Sequence, residues 1–257
     1  MYRLLFIRVM LMPLLQKMTK DDISQIAFNR LSKITGFFVL LIFPLAMVGM
    51  LMPSQMIAEG DSMATAANIS LFQLAIVGET LVFLVEIVVV VLLYRLFESV
   101  NKTLSLIAAA ARFAMTVIQG VNVVFYLLVL EVLTNSDYVS AFGAEQTALL
   151  SSLFLQGHQF GVYVWGIFFG LHLIFLGLVV YKSGFLPKIL GVLLMAGSLG
   201  YLAESYCHFL LPENSVIFAI VLPLLIVSAL GELVFGLWLL IKGVSLPANQ
   251  AAEGDIL

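Results

Sequence analysis

Long apolar stretches alternate with short polar connections along this chain. Six of the stretches are near or above the ~20 residues that an α-helix needs to cross the ~30 Å hydrocarbon layer of a membrane. They run over about 34–52, 71–95, 103–132, 158–181, 189–211 and 216–241. Because a helix satisfies its own backbone hydrogen bonds, apolar segments of this length predict an all-α integral membrane protein, a bundle of six transmembrane helices over 34–243.

The composition indicates that lipid surrounds most of this surface. Hydrophobic residues make up 62% and charged residues 11% of the chain, whereas about a quarter of the residues in soluble domains carry charge. The net charge of -3 and the scattered basic residues give no electrostatic footprint for a nucleic acid. The expected partner is therefore the lipid bilayer and not a nucleic acid. The sequence leaves both a monomer and a homo-oligomer open.

The connections between the spans differ in charge. Basic residues lie before the first span, between the second and third, between the fourth and fifth, and after the sixth: Lys17, Lys20, Arg30, Lys33, Arg95, Lys102, Lys182, Lys188 and Lys242. The connections near 53–70, 134–157 and 212–215 contain no Lys or Arg. Because basic loops stay in the cytoplasm, both termini are predicted to be cytoplasmic, with tails over 1–33 and 244–257. The protein is then a multi-pass protein of the cytoplasmic (inner) membrane.

Two amphipathic segments precede spans. Residues 19–33 begin with side chains that can cap a helix and then place apolar and polar positions on opposite faces. They predict an interfacial helix before the first span. Residues 146–155 predict another before the fourth span, because a continuous helix from 146 to 181 would be ~54 Å long. Gly157 is the expected joint.

Four ionisable residues on four different spans lie at one depth. Counted from the nearest cytoplasmic basic residue, Glu86 is 9 residues deep, and Arg112, His172 and Glu232 are each 10 residues deep, which is ~15 Å. Charged groups at such a depth usually face the bundle interior. One interpretation is structural, with Glu86 paired to Arg112 and Glu232 bonded to His172. The other is a path for protons or a substrate.

A second polar layer lies nearer the outer face. Glu79 and Glu204 are each 16 residues from their reference basic residue, and Gln119 and Asn122 lie at similar or slightly greater depth. Members of the two layers are seven residues apart on the second and third spans and so share one face of each helix. A polar cavity open to the outside would require such stacking. The predicted ligand or proton path comprises Glu79, Glu86, Arg112, Gln119, Asn122, His172, Glu204 and Glu232.

Three residues near the outer face have side chains that bind metals. Glu204 and His208 lie at i and i+4 of one helix, and His158 at the outer end of the fourth span could supply a third ligand. A single haem between His158 and His208 is a further arrangement. A Glu and His pair on one helix is more often only hydrogen-bonded, so the sequence predicts no cofactor.

Small and aromatic residues in the spans have structural explanations. Glycines concentrate in the fourth and fifth spans, where they predict close contacts between helices: Gly166, Gly170, Gly177, Gly191, Gly197 and Gly200. The aromatic residues Trp165, Trp238, Tyr94, Tyr181 and Tyr201 are typical of anchors at the membrane interface.

Three motifs resemble one known family. They are GLHLIFLGLVVYKSGFLPKILGVLLMAGSLGYLAES, GELVFGLWLLIKGV at 231–244 and LLYRLFESVNKTLSLIAAAARFA at 92–114. Together they resemble the bacterial six-span membrane family known as domain of unknown function family 4386, over about 30–243. The resemblance implies an arginine in the third span, a histidine in the fourth, an acid in the fifth and a glutamate in the sixth: Arg112, His172, Glu204 and Glu232. His158 and His208 are not part of that pattern, and the resemblance implies no activity.

The sequence favours a non-enzymatic membrane protein of unknown specific activity. It contains no nucleotide-binding loop, serine nucleophile elbow or HExxH motif. The polar cluster predicts that the protein binds or translocates a small-molecule ligand or protons. The first alternative is an intramembrane metal-dependent enzyme that acts on a lipid or small amphiphile through Glu204, His208 and His158. The second is a sensory or structural membrane protein whose buried charges only fix helix packing.

Overall fold

Six long apolar helices form the described part of the chain. The computed structural model describes residues 19–51, 69–211 and 215–245. Its helices are α1 Lys20–Ala46, α2 Ile69–Phe97, α3 Lys102–Thr134, α4 Ser136–Lys182, α5 Lys188–Leu210 and α6 Ser215–Ile241. All six are long and apolar enough to cross a membrane, and no strand occurs among the described residues. The prediction of an all-α, six-span membrane protein is therefore confirmed.

Several predicted segments lie outside the described residues. Most of the two cytoplasmic tails and of the connections near 53–70 and 212–215 fall there. The cytoplasmic location of the termini and the limits of the tails therefore stay predictions.

The six helices form a closed ring in chain order. Each helix packs against the next one along the chain, and α1 packs against α6. At that closing contact, Ser32 Oγ donates a hydrogen bond to the carbonyl oxygen of Leu239 at 3.3 Å, and Gln25 Nε2 donates to that of Val244 at 3.3 Å. The start of α1 thus lies beside the end of α6, on one side of the membrane.

An apolar core fills the end of the ring that carries the basic connections. Phe97, Phe185 and Phe235 lie together there, with ring centroids 5.8 Å apart for Phe97 and Phe185 and 6.4 Å apart for Phe97 and Phe235. Phe28 of α1 meets Phe185 edge to face at 5.6 Å. These side chains are buried or nearly so, so the interior is closed at this end.

Helix α4 is bent at Gly143 and is helical through residue 157. Gly143 has φ 77° and ψ 168°, a conformation that glycine adopts at no steric cost. The predicted joint at Gly157 is wrong. A methyl group on Gly157 would lie 2.6 Å from the ring of Phe125, so this glycine serves the contact between α3 and α4. The amphipathic helix expected over 146–155 is part of the continuous α4.

Helix α1 begins with a reciprocal cap and runs without a break to Pro44. The backbone N–H of Thr19 donates to the Asp22 carboxylate at 2.9 Å, and the N–H of Asp22 donates to Thr19 Oγ1 at 3.2 Å. Donation from the Thr19 backbone, and then from its hydroxyl, lowers the pKa of the Asp22 carboxyl. The segment 19–33 is therefore the first part of one helix, and its position at the membrane surface stays a prediction.

Pro44 and a π-helical turn alter the end of α1. Proline lacks the N–H that an α-helix interior requires, and Pro44 lies three residues before the π-helical turn Met47–Leu51. Turns of this kind widen a helix locally and occur often at functional sites. Met47 in this turn is 60% exposed.

Close helix contacts occur where the glycines predicted them. A methyl group on Gly191 would lie 2.5 Å from the carbonyl oxygen of Gly177, so α4 and α5 approach at backbone distance. Added methyl groups would meet neighbouring helices within 3.0 Å at all six predicted positions: Gly166, Gly170, Gly177, Gly191, Gly197 and Gly200.

Candidate functional site

A cavity of about 280 Å³ lies inside the ring of helices. All six helices contribute to its wall. Four polar side chains line it, which are Glu86, Arg112, Gln119 and Glu232, and four aromatic ones, which are Phe43, Trp165, Phe169 and Tyr201. The remaining lining residues are apolar and come mainly from the end of α1. The cavity is therefore a mostly apolar space with a polar wall.

Arg112 of α3 is paired with Glu86 of α2. Its Nε donates to Glu86 Oε2 at 2.6 Å and its Nη2 donates to Oε1 at 3.0 Å, the two-pronged geometry that makes arginine and carboxylate pairs strong. The two side chains are only 5% and 4% exposed. The ion pair predicted from their common depth is confirmed.

His172 of α4 completes this group. Arg112 Nη1 lies 2.9 Å from His172 Nε2, and His172 Nδ1 lies 2.8 Å from the carbonyl oxygen of Ala108. Since the guanidinium can only donate, Nε2 is the acceptor and Nδ1 carries the proton. His172 is thus a neutral imidazole in this arrangement. The predicted bond between His172 and Glu232 is wrong, because both ring nitrogens face α3.

Glu232 of α6 lies in the cavity wall with a weaker partner. Ser228 Oγ, one turn earlier on the same helix, donates to Glu232 Oε1 at 3.2 Å. Among the described residues this is the one hydrogen bond to its carboxylate. Glu86 and Arg112 neutralise each other, so Glu232 is the acidic group of the cavity that lacks a directly paired cation.

Three aromatic residues of the cavity wall contact one another. Trp165 stacks on Phe169 with centroids 4.8 Å apart, and Tyr201 meets Phe169 edge to face at 4.8 Å. The guanidinium carbon of Arg112 lies 5.7 Å from the centroid of Phe169, within the range of a cation–π contact. Trp165 and Tyr201 therefore line the cavity. Which members of the predicted aromatic set are anchors at the membrane interface stays a prediction.

A second buried pair, Glu79 of α2 with His158 of α4, involves the residue seven positions before Glu86. His158 Nε2 is 3.2 Å and 3.3 Å from the two carboxylate oxygens of Glu79. The imidazole of His158 stacks on Tyr126 with centroids 3.7 Å apart. Glu79 is 1% exposed and His158 is 3% exposed, so the pair is enclosed by α2, α3 and α4.

Three buried polar atoms beside this pair have no hydrogen-bond partner in the part of the chain that the structure describes. They are Gln119 Oε1, Asn122 Oδ1 and Trp165 Nε1. Together with Glu79 and Val162, the same three residues line a void of about 10 Å³. Asn122 itself is oriented by its amide nitrogen, which donates to the carbonyl oxygen of His158 at 2.9 Å.

The proposed metal ligands are not brought together. His158 faces Glu79, whereas the ring of His208 stacks on Tyr163 at 3.8 Å and its Nδ1 contacts the backbone oxygen of Glu204 at 2.9 Å. In the described ranges, no three His, Cys, Asp or Glu side chains are placed to hold a metal ion. The arrangement of His158, Glu204 and His208 therefore gives no support to the metal site. For the single haem between His158 and His208, His158 Nε2 already contacts Glu79.

The comparisons with known proteins identify a family. The model of a domain of unknown function, DUF4386, matches residues 34–243. The chain belongs to this family. An uncharacterised protein of Archaeoglobus fulgidus is 30% identical over 169 residues, which are 66% of this chain and 83% of the relative. No solved structure matches the chain. The relative is archaeal, so a bacterial origin of this chain stays a prediction.

The four residues that the DUF4386 resemblance implied differ in their surroundings. Arg112 and Glu232 line the central cavity, and His172 contacts Arg112 from behind. Glu204 is half-buried on α5 and does not line this cavity. Three of the four therefore converge on one place in this DUF4386 protein.

Sequence reasoning missed the aromatic wall and the pairing of His158 with Glu79. A signal for both was present on α4, where His158, Trp165 and His172 are spaced seven residues apart. Residues at this spacing share one helix face. His172 was expected inside the bundle. Because His158 and Trp165 share its helix face, they are expected inside the bundle as well.

Proposed function

We propose that this membrane protein binds a small amphiphilic organic cation in the central cavity, with Glu232 as its counter-ion. The observation that carries the proposal is the position of Glu232 in the cavity wall, where it forms no salt bridge with any described residue. A buried carboxylate is costly to ionise unless a positive group accompanies it. A ligand that supplies this positive group would complete the site.

The balance of charge favours a cation over an anion. Arg112 is the cationic residue of the cavity wall, and three of its N–H groups already serve Glu86 and His172. An anionic ligand would have to compete with the carboxylate of Glu86 for the same guanidinium. A cationic ligand meets an acid that accepts a hydrogen bond from the Ser228 hydroxyl and, among the described residues, forms no salt bridge.

The shape and lining of the cavity favour an organic ligand of small size. Ligand sites are mostly apolar, with a few polar groups that fix orientation. The faces of Trp165, Phe169 and Tyr201 form the wall that a cation or an aromatic ring can contact. A bare metal ion would use neither the apolar surface nor the volume.

Met47 suggests how a ligand enters. This residue lines the cavity and is 60% exposed. The cavity therefore approaches the surface beside the π-helical turn, where an amphiphile dissolved in the bilayer would meet it.

We further propose that the protein lies in the cytoplasmic membrane with both termini inside, which the basic residues near 95–102 and 182–188 support.

A purely structural role accounts for part of the cluster only. The bonds of Arg112 to Glu86 and His172 fix how α2, α3 and α4 meet, as buried pairs do. They leave Glu232 on α6 and the volume beside it without an explanation. Ligand binding explains both.

The test compares two compounds of the same shape in detergent-purified protein. Benzyltrimethylammonium carries a positive charge, and neopentylbenzene replaces its nitrogen by carbon. Trp165 reports binding by fluorescence in a Trp238→Phe background, which leaves one tryptophan in the chain. We expect the cation to shift the emission of Trp165 saturably and the neutral compound to do so at much higher concentration.

Two matched acid variants complete the test. Glu232→Gln should abolish the preference for the cation, because the amide carries no charge. Glu204→Gln changes an acid that does not line the cavity and should leave the preference intact. Equal binding of both compounds by the unmodified site, or an unchanged preference in Glu232→Gln, would contradict the proposal.

A further inference from the structure

The void between Glu79 and Trp165 has the size and the polarity of a site for one water molecule. Its volume of about 10 Å³ matches the space that a single buried water requires. Gln119 and Asn122 line it and are 5% and 4% exposed, and the side-chain oxygen of each has no hydrogen-bond partner among the described residues. The buried N–H of Trp165 is a third unpartnered group. Buried polar atoms without partners are rare and costly.

Donors and acceptors around the void match those of water. A water molecule can donate to Gln119 Oε1 and Asn122 Oδ1 and accept from Trp165 Nε1. One lone pair of the water then remains, and Glu79 is the other polar residue of the wall. A proton on the Glu79 carboxyl would complete the set as a fourth hydrogen bond. Without that proton, three acceptors would compete for the two protons of the water.

A metal cation does not suit the same group. The two amide oxygens and the carboxylate are oxygen ligands of the right type, but the N–H of Trp165 would point its positive end at the ion. Water accepts from that N–H and a cation repels it. The donor is therefore what distinguishes the two occupants.

We infer that Glu79, Gln119, Asn122 and Trp165 hold one water molecule, which carries a proton between the Glu79–His158 pair and the central cavity. The location supports the second part, because Gln119 and Trp165 line both the void and the cavity. The inference does not require a ligand in the cavity.

The proton step needs only water besides the named side chains. An O–H bond of the Glu79 carboxyl breaks as an O–H bond forms at the water, and a second O–H bond of this water breaks as one forms at a water of the central cavity, whose volume of about 280 Å³ has room for several. Transfer from the cavity water to the carboxylate of Glu232 in the cavity wall completes the step. The titratable groups around Glu79 are His158 of α4, which contacts its carboxylate, Tyr126 of α3, which stacks on His158, and Glu86, seven residues along α2.

One substitution fills the void without removing any polar atom. Val162 lines the void and not the cavity, so Val162→Ile adds a methyl group where the water would lie. Val164 on the same helix is 38% exposed, and Val164→Ile is the matched control. Both variants keep a β-branched aliphatic residue, so effects on helix formation are equal.

The water is tested by NMR on protein with ¹⁵N-labelled tryptophan. The chain has two tryptophans, and Trp238→Phe assigns the two indole signals. We expect an exchange or nuclear Overhauser cross-peak between water and the indole proton of Trp165. Val162→Ile should remove it and Val164→Ile should not. A cross-peak that is absent from the starting protein, or that survives Val162→Ile, would overturn the water site.

The proton step is tested by infrared spectroscopy after a rapid change of pH. The carboxyl band that disappears in Glu79→Gln belongs to Glu79. We expect this band to change more slowly in Val162→Ile than in Val164→Ile, because the route through the water is blocked. Equal rates in the two variants, or no band from Glu79 at any pH at which the protein is folded, would overturn the role in proton transfer.

Discussion

Two buried clusters lie seven residues apart on α2. Each combines a glutamate of α2 with a histidine of α4, but only the Glu86 cluster contains an arginine, and the two differ in how completely they are bonded. At Glu86, the carboxylate takes two bonds from Arg112, and His172 takes a third from the same guanidinium. At Glu79, the carboxylate contacts His158 at longer distances, 3.2 Å and 3.3 Å, and unpartnered polar atoms lie next to it.

This difference in hydrogen bonding indicates that the Glu86 cluster stabilises the fold and that the Glu79 cluster can bind a further molecule. A carboxylate that is paired with a guanidinium through two hydrogen bonds holds helices together and leaves no unpaired charge for a ligand. A group with unmatched atoms and adjacent space can exchange partners. We therefore expect the cluster around Arg112 to dominate stability and the cluster around Glu79 to tolerate change with a small loss.

The largest expected effect is from Arg112→Leu. Removing the guanidinium leaves Glu86 buried without its partner, which typically costs about 3–5 kcal/mol of the free energy of unfolding. Unfolding by SDS titration of protein in mixed micelles measures this. Adding Glu86→Leu should recover most of the loss, because an apolar pair replaces an unpaired charge. If the single variant is as stable as the parent, the ion pair does not hold the bundle.

Gly161→Ala should have the next largest effect. The added methyl group would overlap the amide of Asn122, which would have to leave its bond to the carbonyl of His158. Overpacking of this kind costs about 1–3 kcal/mol. Gly120→Ala on α3 is the control, because nothing lies within 4 Å of its added methyl group. Equal stability of the two variants would show that Asn122 is not fixed here.

Glu79→Gln should have the smallest effect. The amide retains a hydrogen-bonding group for His158. Glu79 has no arginine partner like the one that Glu86 has in Arg112, so its neutralisation leaves no guanidinium without a counter-ion. We expect a loss of about 1 kcal/mol, measured by the same SDS titration, beside a several-fold larger loss for Glu86→Gln. A loss at residue 79 as large as at residue 86 would remove the distinction between the two clusters.

The sequence predicted the parts of this molecule that depend on one helix at a time. Six apolar spans follow from length and composition, and the pair of Glu86 with Arg112 follows from counting depth along two helices. Both steps need only the rise per residue and the cost of burying charge. The glycine contacts of α4 and α5 belong to the same class.

The sequence did not predict the pair of His158 with Glu79, because this pair depends on the tilt of the helices and on which helices contact each other. His158 lies 24 residues from Lys182 and Glu79 lies 16 residues from Arg95, so counting along the axes placed them at different depths. A helix longer than the hydrocarbon layer tilts, and each residue of the long α4 then adds less than the full rise to the depth. The prediction of a break at Gly157 came from the same assumption of an upright helix.

The central cavity could not have been predicted from single spans. Its wall combines residues of six helices, and Glu232 became a candidate counter-ion only when His172 was seen to face α3. Aromatic residues at membrane depth are compatible with interior and interface positions alike, and the ring of helices decides between them.

The most direct test of the cation site is a crystal structure with 4-bromobenzyltrimethylammonium, whose bromine marks its position by anomalous scattering. We predict one bromine peak inside the ring of helices, against Trp165 and Phe169, with the ammonium group within about 4 Å of the Glu232 carboxylate. A bromine peak confined to the outer surface of the bundle, with the cavity empty of the compound, would contradict the account.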